Sequence, residues 1–433
     1  MSHDVRNRLP AIRRAFHRHP EPGWREFRTT ARIVEEVERI GVDGLAIGRD
    51  VLSSEDRMAV PDQSELDAWL EGAREAGVRP DVLERTADGH TGAVAVLERG
   101  EGPTVGLRVD MDAISMTESE EVGHRPADEG FRSEHEGYMH ACGHDAHLAI
   151  ALGILEAVKH GSFAGTFKLF FQPAEEISGG GKPLVEGGYV DDVDYLLSLH
   201  VGLHNPTGTI VSGVVKPLAM AHLTATFEGA SAHAGKTPSA GANAMQAAAT
   251  AIQNAYAIPR HADGMTRINL GRIEGGTASN IIAEEITIDG EVRGETTALM
   301  EYARTELERV FYAAAEMHDC DVTQRMMSES PRIDSDPELR DLIGSVASTV
   351  PWVDTVISEQ EFGASEDVTF LMERVQENGG LASYLIVGAD HPTNHHTPTF
   401  DVDERCLEIG VDVVSSAIEE ISRRRPSRDD PKR

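Results

Sequence analysis

The chain has few cysteines and no long apolar run. Only three of its 433 residues are cysteine, at positions 142, 320 and 406. An odd number of cysteines at such wide spacing argues against a disulfide framework and favours free thiols in a reducing cytosol. No stretch of about 18 apolar residues occurs, so we expect no membrane span. The charged start, MSHDVRNRLPAIRR, lacks the apolar core of a signal peptide, so we expect a cytoplasmic protein.

Positive charge is also scarce. The chain carries 40 basic residues against 73 acidic ones, a net charge of -33, and only six of the basic residues are lysine. Such an acidic surface repels nucleic-acid phosphates and anionic lipid, so neither nucleic acid nor membrane is an expected partner. Acid excess with little lysine resembles proteins of salt-loving organisms, and an acidic mesophilic protein is the alternative. We therefore expect the fold to be unstable in low salt.

The length predicts two domains, with three as the alternative. Short apolar strands alternate with helices up to residue 212 and again after residue 330, which predicts an α/β fold with a mostly parallel sheet between helices. Between residues 213 and 330 the order is strand, helix, strand, strand, helix, strand, which suits a small ferredoxin-like α+β domain. We expect one discontinuous domain, 1–212 and 331–433, with 213–330 inserted in it.

Local patterns predict the individual elements. The predicted helices are 12–41, 63–76, 145–161, 241–257, 297–318, 336–349, 366–378 and 403–423. The predicted strands are 104–110, 166–172, 194–200, 221–229, 266–276, 284–294 and 382–388. The final stretch, RRRPSRDDPKR, is expected to be disordered.

The run HACGHDAH concentrates potential metal ligands. It places His140, Cys142, His144 and His147 within eight residues, beside Asp145. Imidazole and thiolate are the side chains that bind a borderline transition metal best. The other explanation for this run is a pH-titrating surface patch or a satisfied buried cluster.

Further candidate ligands follow the predicted strands. Asp110, Glu175, Glu176 and His200 lie at or just after strand ends, and histidines 391, 395 and 396 follow the last strand. A parallel α/β sheet binds ligands at the carboxyl ends of its strands. Each acid singly could be a helix cap. Their shared location predicts a metal site at this edge of the sheet.

Together these residues resemble the dinuclear metallopeptidases of the aminoacylase/carboxypeptidase family, in the amidohydrolase branch that includes hippurate and auxin-conjugate hydrolases. The matching motifs occur in the family's order over nearly the whole chain: RVDMDAI (108–114), MHACGHDAH (139–147), FQPAEE (171–176), the strand ending in His200, EGASAHAG (228–235), ASNIIAE (278–284), GEVRG (290–294), GASEDVTF (363–370) and HHTPTFDVDE (395–404). The long insert near 50–90, HRPADEGF and MERVQENGG are similar to the p-aminobenzoyl-glutamate hydrolase subgroup.

The resemblance implies a role for each matching position. Two divalent metal ions per chain, Mn²⁺ or Zn²⁺, are expected, and their ligands fall on Cys142, His144, Glu176, His200 and His396, with His395 as the alternative to His396. Cys142 is expected to bridge the two ions. Glu175 matches the general base, and Asp112 matches the acid that orients ligands by hydrogen bonding. Asp110 is not expected to be a ligand, and Cys320 and Cys406 are expected to be structural.

Three matching positions fall in the inserted segment. His233 matches a histidine that reaches across a dimer to stabilise the oxyanion. Asn280 and Arg293 match residues that hold the substrate carboxylate. Without the resemblance, His233 reads as a surface loop histidine and Arg293 as half of a salt bridge. The resemblance implies a metal-binding catalytic domain at 1–212 and 331–433, a dimerisation or lid domain at 213–330, and a homodimer or a heterodimer with a related chain.

The predicted function is metal-dependent hydrolysis of the amide bond of N-acyl amino acids. The resemblance favours an aromatic acyl group, as in p-aminobenzoyl-glutamate, with a metal-activated water that gives its proton to Glu175. A dipeptidase, a carboxypeptidase or a hippurate or auxin-conjugate hydrolase is the alternative within this class. A non-catalytic or regulatory subunit of a heteromeric hydrolase is the alternative outside it. The intact Glu175 and ligand positions argue against that second alternative.

Overall fold

The computed structural model describes residues 3–423. The helices are α1 His3–His17, α2 Phe27–Ile40, α3 Gln63–Glu75, α4 Pro80–Thr86, α5 Arg125–Asp128, α6 His144–His160, α7 Gly181–Glu186, α8 Ala244–Ala255, α9 Thr297–Met317, α10 Pro337–Ala347, α11 Val368–Glu377 and α12 Arg405–Arg423. None of the helices in these residues combines the length and apolar character that a membrane span needs. The stretch expected to be disordered lies, apart from Arg423, outside the described residues.

The strands in the described residues are mostly short. They are β1 Gly44–Ile47, β2 Ala93–Glu98, β3 Thr104–Asp110, β4 Ile114–Ser115, β5 Tyr138–Met139, β6 Thr166–Gln172, β7 Tyr195–Val201, β8 Thr209–Val211, β9 Val214–Val215, β10 Ala219–Glu228, β11 Thr266–Gly275, β12 Glu285–Gly294, β13 Asp321–Ser330, β14 Thr355–Ile357, β15 Gln360–Glu361 and β16 Leu381–Val387.

The chain divides into two compact units. The first contains the described residues up to Val215, then Ile333–Phe362 and those from Asp367 onward. The second contains Lys216–Arg332 and Gly363–Glu366. The first unit is therefore discontinuous in sequence, since nearly all of the second unit interrupts it. The catalytic, lid and dimerisation roles of these segments stay predictions.

An eight-stranded mixed sheet forms the middle of the first unit, in the order β1-β2-β6-β3-β7-β16-β8-β14. The central strands β6, β3, β7 and β16 run parallel to one another. Antiparallel pairs occur between β1 and β2, β2 and β6, and β16 and β8. The predicted α/β class with a mostly parallel sheet is confirmed, and the parallel centre brings four carboxyl ends to one edge.

Apolar side chains cover both faces of this sheet. Neighbouring residues in β6 point to opposite sides, so Leu169 joins one core and Phe170 the other. The larger core is formed with α1, α2, α6, α10 and α12, and α6 buries most of its length in it. The second core includes Leu184 of α7 and Leu371 of α11. Helices on both faces leave the strand ends as the place where polar side chains can meet.

The second unit is a four-stranded antiparallel sheet, in the order β11-β12-β10-β13, with α8 and α9 packed against it. Burial alternates along β10 and β12, as expected for strands with one covered face. Phe227 of β10 meets Phe311 of α9 edge to face, with ring centroids 6.0 Å apart. The chain order of strands and helices is the ferredoxin-like order that the sequence predicts.

The predicted helix at 12–41 is wrong as a single element. The structure has α1 and α2 there, with residues 18–26 outside both. Pro20 and Pro22 explain the break, because proline donates no backbone hydrogen bond and disfavours the helical conformation of the residue before it. Trp24 also has a left-handed backbone, with φ 65°. The other predicted helices and strands lie within a few residues of the observed ones.

Candidate active site

The candidate ligands come from strand ends and from the start of one helix. Asp112 follows the end of β3, Glu175 and Glu176 follow the end of β6, and His200 is the second-last residue of β7. Cys142 and His144 stand at the start of α6, on either side of a glycine. All of these side chains belong to the first unit.

The five predicted metal ligands form two overlapping groups. Potential ligand atoms lie within 4.8 Å of one another in the group Cys142, His144 and His200, and again in the group Cys142, Glu176 and His396. Cys142 belongs to both groups. Its Sγ lies 3.4 Å from Nε2 of His200. A thiolate shared by two sets of ligands is the arrangement expected of a bridging cysteine.

Hydrogen bonds fix which ring nitrogen of each buried histidine is free to bind a metal. His144 Nδ1 donates to the carbonyl oxygen of Asp112 at 2.9 Å, and His200 Nδ1 donates to that of Val201 at 2.8 Å. Nε2 of His144 is buried, and it forms no hydrogen bond to any residue that the structure describes. Carboxylate oxygens of Asp110, Glu175 and Glu176 lie 3.6, 3.8 and 3.7 Å from it. This donor set suits a transition metal.

The electrostatic surroundings of the two histidines differ. Burial, followed by the charges of His147 and His395, holds the pKa of His200 well below its ordinary value and keeps the ring neutral, as metal binding requires. Burial opposes protonation of His144 too, yet Asp110 and the neighbouring carboxylates raise its pKa to about 10. The negative potential that favours a proton there also favours a metal cation.

Asp112 positions three parts of the site. Its Oδ1 accepts a hydrogen bond from the backbone N–H of Glu175 at 3.1 Å, and its Oδ2 accepts one from that of Glu176 at 3.0 Å. Its carbonyl oxygen receives the proton of His144 described above. One residue therefore holds the candidate base and two candidate ligands in register. The nearly buried Glu175 groups with His144 and Glu176.

The structure separates His396 from its neighbour His395. The backbone of His396 is left-handed, with φ 59°, and its N–H donates to the carbonyl oxygen of Ala141 at 2.8 Å. Its Nε2 lies 3.5 Å from Oε2 of Glu176. His395 instead donates through Nε2 to the carbonyl oxygen of Val201 at 3.3 Å, and burial and His391 lower its pKa to about 3. Of the two, His396 lies with the other candidate ligands.

His233 and Asn280 lie on adjoining segments of the second unit, and both are exposed. Backbone bonds join the segments, since the N–H of Ala234 donates to the carbonyl oxygen of Asn280 at 3.0 Å. Nδ1 of His233 accepts a hydrogen bond from the N–H of Gly235 at 3.1 Å. The neutral ring therefore carries its proton on Nε2, where it can donate to a ligand.

Arg293 of β12 is engaged in a salt bridge within the second unit. Its Nε and Nη2 both donate to the carboxylate of Glu291, at 3.0 Å each, and its Nη1 donates to Oγ of Ser365 at 3.4 Å. This is the surface ion pair that the residue alone suggests. A substrate carboxylate would have to share the guanidinium with Glu291 or displace it.

Sequence reasoning gave no role to the chain of hydrogen bonds behind His144. The N–H of Val201 donates to Nε2 of His147, whose Nδ1 donates to Asp110 at 2.5 Å. Arg108 links Asp110 to Asp367, at 2.9 and 3.0 Å. Although burial opposes ionisation, the surrounding cations hold the pKa of Asp110 well below its usual range. Sequence separation of 259 residues hides the bond to Asp367.

A second buried network, also missed, supports the start of α6. Oδ2 of Asp145 accepts from Nε of Arg13 at 3.0 Å and from Nδ1 of His17 at 2.8 Å. Arg13 also donates to Asp401 at 2.6 Å, five residues after His396. The one available signal is that Arg13 and His17 are four residues apart within a predicted helix, which places them on one face.

Comparisons with known proteins agree with this arrangement. The family described as Peptidase family M20/M25/M40 matches residues 106–420. One of the two p-aminobenzoyl-glutamate hydrolase chains of Escherichia coli (strain K12) is 38% identical over 412 residues, which cover 94% of each chain. The indole-3-acetyl-aspartic acid hydrolase of Enterobacter agglomerans is 38% identical over 418 residues, covering 95% of this chain and 96% of that protein.

A solved structure, the aminobenzoyl-glutamate utilization protein from Klebsiella pneumoniae, is 33% identical and superposes with a TM-score of 0.83. The match covers 96% of this chain and 97% of that one. Sequence and fold are therefore shared over almost the whole length. The chain belongs to peptidase family M20/M25/M40, and it is a metal-dependent hydrolase that acts on amide bonds.

Proposed function

We propose that the chain hydrolyses N-acyl amino acids with an aromatic acyl group, and that p-aminobenzoyl-glutamate is its leading candidate substrate. The observation that carries the mechanism is the convergence of two ligand groups on Cys142, with Glu175 beside them. The substrate class rests on the names of the relatives, which act on aminobenzoyl-glutamate and on indole-3-acetyl-aspartate at equal identity. Both are aromatic acids joined to an acidic amino acid.

The proposed ligands are Cys142, His144, Glu176, His200 and His396, for two divalent ions. The chemistry of the donors supports this, because thiolate, neutral imidazole and carboxylate together suit zinc, and manganese is the alternative by resemblance. When bound, the ions would polarise the amide carbonyl and lower the pKa of a water.

Glu175 is the proposed general base. It takes a proton from the attacking water and delivers that proton to the nitrogen of the departing amine, so the carboxylate is restored at the end of each cycle. Its backbone is fixed by Asp112, which keeps the carboxylate beside the ligand groups. Cations in the site keep Glu175 ionised before the reaction.

His233, Asn280 and Arg293 are proposed to contact substrate from the second unit. The Nε2–H of His233 donates to the oxyanion, and Asn280 and Arg293 hold the free carboxylate. We propose that His233 serves the site of a partner chain in a homodimer or a heterodimer. The edge position of β11 supports a dimer, because its ten residues are mostly exposed and it pairs only with β12 among the described strands.

The deciding measurement is hydrolysis of p-aminobenzoyl-glutamate by the purified chain alone, with Mn²⁺ or Zn²⁺ added. Indole-3-acetyl-aspartate, hippurate, acetyl-amino acids and dipeptides are measured alongside. We expect release of p-aminobenzoate, and a loss of kcat of about 10²–10⁴-fold in Glu175→Gln with metal content unchanged. Turnover of only the other substrates would discard the substrate and keep the mechanism. Bound metal without any turnover would favour a chain that needs a related partner chain.

The partner role of His233 has a separate test. His233→Ala and Glu175→Gln chains are each expected to be inactive, and a mixture after verified exchange of chains is expected to regain part of the activity. Mixing two preparations of Glu175→Gln is the control. No recovery in the mixture would show that each site is built within one chain.

A further inference from the structure

The first unit contains a cavity of about 560 Å³ away from the metal ligands. It lies against α3, in the insert at residues 50–90 to which the hydrolytic mechanism assigns nothing. None of the described residues that line it belongs to the two ligand groups. The volume falls in the range of small-molecule sites, about 300–1,000 Å³. The cavity is therefore large enough to hold a ligand of its own.

Three aromatic rings form one wall of this cavity. Trp69 of α3 lies with its ring centroid 4.4 Å from that of His135 and 5.2 Å from that of Tyr138. The His135 and Tyr138 centroids are 5.1 Å apart. Trp69 and Tyr138 are only partly buried, so ring surface remains open to the cavity. A planar ring could stack or pack edge-on against this wall.

A guanidinium group faces the same space. Arg28 of α2 lines the cavity, and its side chain forms no hydrogen bond or salt bridge within the described part of the chain. Its charge is felt locally, because after burial it is among the causes that lower the pKa of His19 and of His135. An uncompensated arginine is notable in a chain with a net charge of -33. It makes the cavity locally attractive to an anion.

The carboxylates near Arg28 do not neutralise this position. Glu21 is 2% exposed, and its two oxygens accept the backbone N–H groups of Arg28 and Thr29 at the start of α2, at 3.1 and 2.7 Å. Burial raises the pKa of Glu21 to about 7. Glu134 points to solvent, with 62% of its side chain exposed. The shielded, permanent charge in the cavity is that of Arg28.

We propose that this cavity is a second ligand site that binds a small planar aromatic carboxylate. The ring lies against Trp69 and Tyr138, and the carboxylate accepts hydrogen bonds from the fork of Arg28. A cationic ligand would be repelled by Arg28, and an inorganic anion would leave the aromatic wall unused. The site is independent of hydrolysis, so its test stands apart from that of the proposed function.

The test is a titration of the full-length, metal-loaded protein with benzoate, followed by ¹⁹F NMR of 5-fluorotryptophan. The chain has three tryptophans, Trp24, Trp69 and Trp352, whose signals are assigned with Trp69→Phe and Trp352→Phe. We expect saturable movement of the Trp69 signal and none of the exposed Trp352 signal. Because the readout is at Trp69, benzoate bound at the metal centre does not imitate it.

Two comparisons give the site its chemistry. Benzamide has the shape of benzoate without the charge, and cyclohexanecarboxylate has the charge without the planar ring, so both are expected to bind about tenfold more weakly or worse. Arg28→Gln is expected to weaken benzoate about tenfold, with Arg39→Gln on the same helix as the unchanged control. An unmoved Trp69 signal, or equal affinity for benzoate and benzamide in the unaltered protein, would overturn the proposal.

Discussion

At the scale of single residues, the two adjacent histidines after β16 have opposite surroundings. His395 is mostly buried and donates to the carbonyl oxygen of Val201, whereas His396 has half its side chain exposed and reaches towards Glu176. The left-handed backbone of His396 turns consecutive side chains to different places. The geometry therefore assigns different consequences to the loss of each ring.

We expect His396→Ala to lower the affinity for one of two metal ions by at least about tenfold, because an inner ligand is lost. His395→Ala is expected to keep both ions, since its ring is occupied by Val201. Elemental analysis after equilibration at limiting free metal checks both variants. Loss of metal from His395→Ala alone would reverse the assignment.

Much of the candidate site could be predicted because its residues are marked locally. HACGHDAH is one short run, and the acids and His200 follow apolar strands that end abruptly. The supporting residues have no such mark. Arg108 meets Asp367 only because β3 lies near the start of α11, and Arg13 meets Asp145 only because α1 packs on α6. Those contacts depend on the tertiary fold, which a single sequence does not show.

At the scale of elements, the start of α6 places two candidate ligands through a single left-handed glycine. Gly143 has φ +95° and stands between Cys142 and His144. A Cβ at this position would lie 2.5 Å from Cγ2 of Val201, in β7. The helix start and the strand end are therefore packed as closely as a residue without a side chain allows.

Gly143→Ala is expected to lower both the melting temperature and the metal content, because the clash with Val201 displaces Cys142 and His144. Gly123→Ala is the matched control, with φ +98° and nothing within 4 Å of its added Cβ. It should show only the left-handed strain of about 1–2 kcal/mol, with metal binding intact. Equal effects of the two substitutions would contradict the close packing.

Helix α1 is tied to α6 through a protonated histidine. Burial opposes protonation of His17, yet hydrogen bonds and charges of Asp145 and Glu118 raise its pKa to about 9. A pKa raised by folding stabilises the fold fully below the unfolded value of about 6.5, and that stabilisation is lost as the pH rises towards 9. Buried Glu21 and Glu26, with pKa values raised to about 7 and about 8, weaken the fold in the same direction.

We expect the free energy of unfolding to fall between about pH 6.5 and 9, and to fall less steeply in His17→Gln. Comparing the two proteins isolates the part due to His17, because Glu21 and Glu26 are present in both. Chemical denaturation across this range measures the slope. The exposed His160→Gln should keep the slope of the unaltered protein. An unchanged slope in His17→Gln would remove the role of its proton.

Long elements with strong local patterns could be predicted, and short ones could not. The strands at 104–110 and 166–172 agree with the predicted bounds because they are apolar runs with clear ends. The short β8 and β14 carry too few residues to show a period, and they exist because they pair with each other beside β16. The edge strand β1 likewise depends on its pairing with β2.

At the scale of the whole molecule, the acid excess dominates. Arginines such as Arg79 already lie between two acids, Glu38 and Asp81, at 2.6 and 2.7 Å, and a net charge of -33 remains. Repulsion among the unpaired carboxylates destabilises the compact state, and dissolved ions screen it. We propose that the chain comes from a salt-loving organism, on the strength of this charge and the scarcity of lysine.

We expect the melting temperature to rise with potassium chloride, mostly below about 1 M, where the screening length has already fallen to about 3 Å. Sucrose at matched osmolality is the control, because it stabilises by exclusion from the surface and not by screening. A melting temperature independent of salt between about 0.1 and 3 M would end this explanation.

The insertion of the second unit also sets the order in which the protein is made. Nearly 200 residues separate His200 from His396, and β16, which lies beside β7 in the sheet, ends nine residues before His396. At about 5–20 residues per second, translation takes roughly 10–40 s to cross that interval. Throughout it β7 has one unpaired edge and Cys142 lacks its last neighbour. The sheet and the metal centre are therefore completed together, at the end of synthesis.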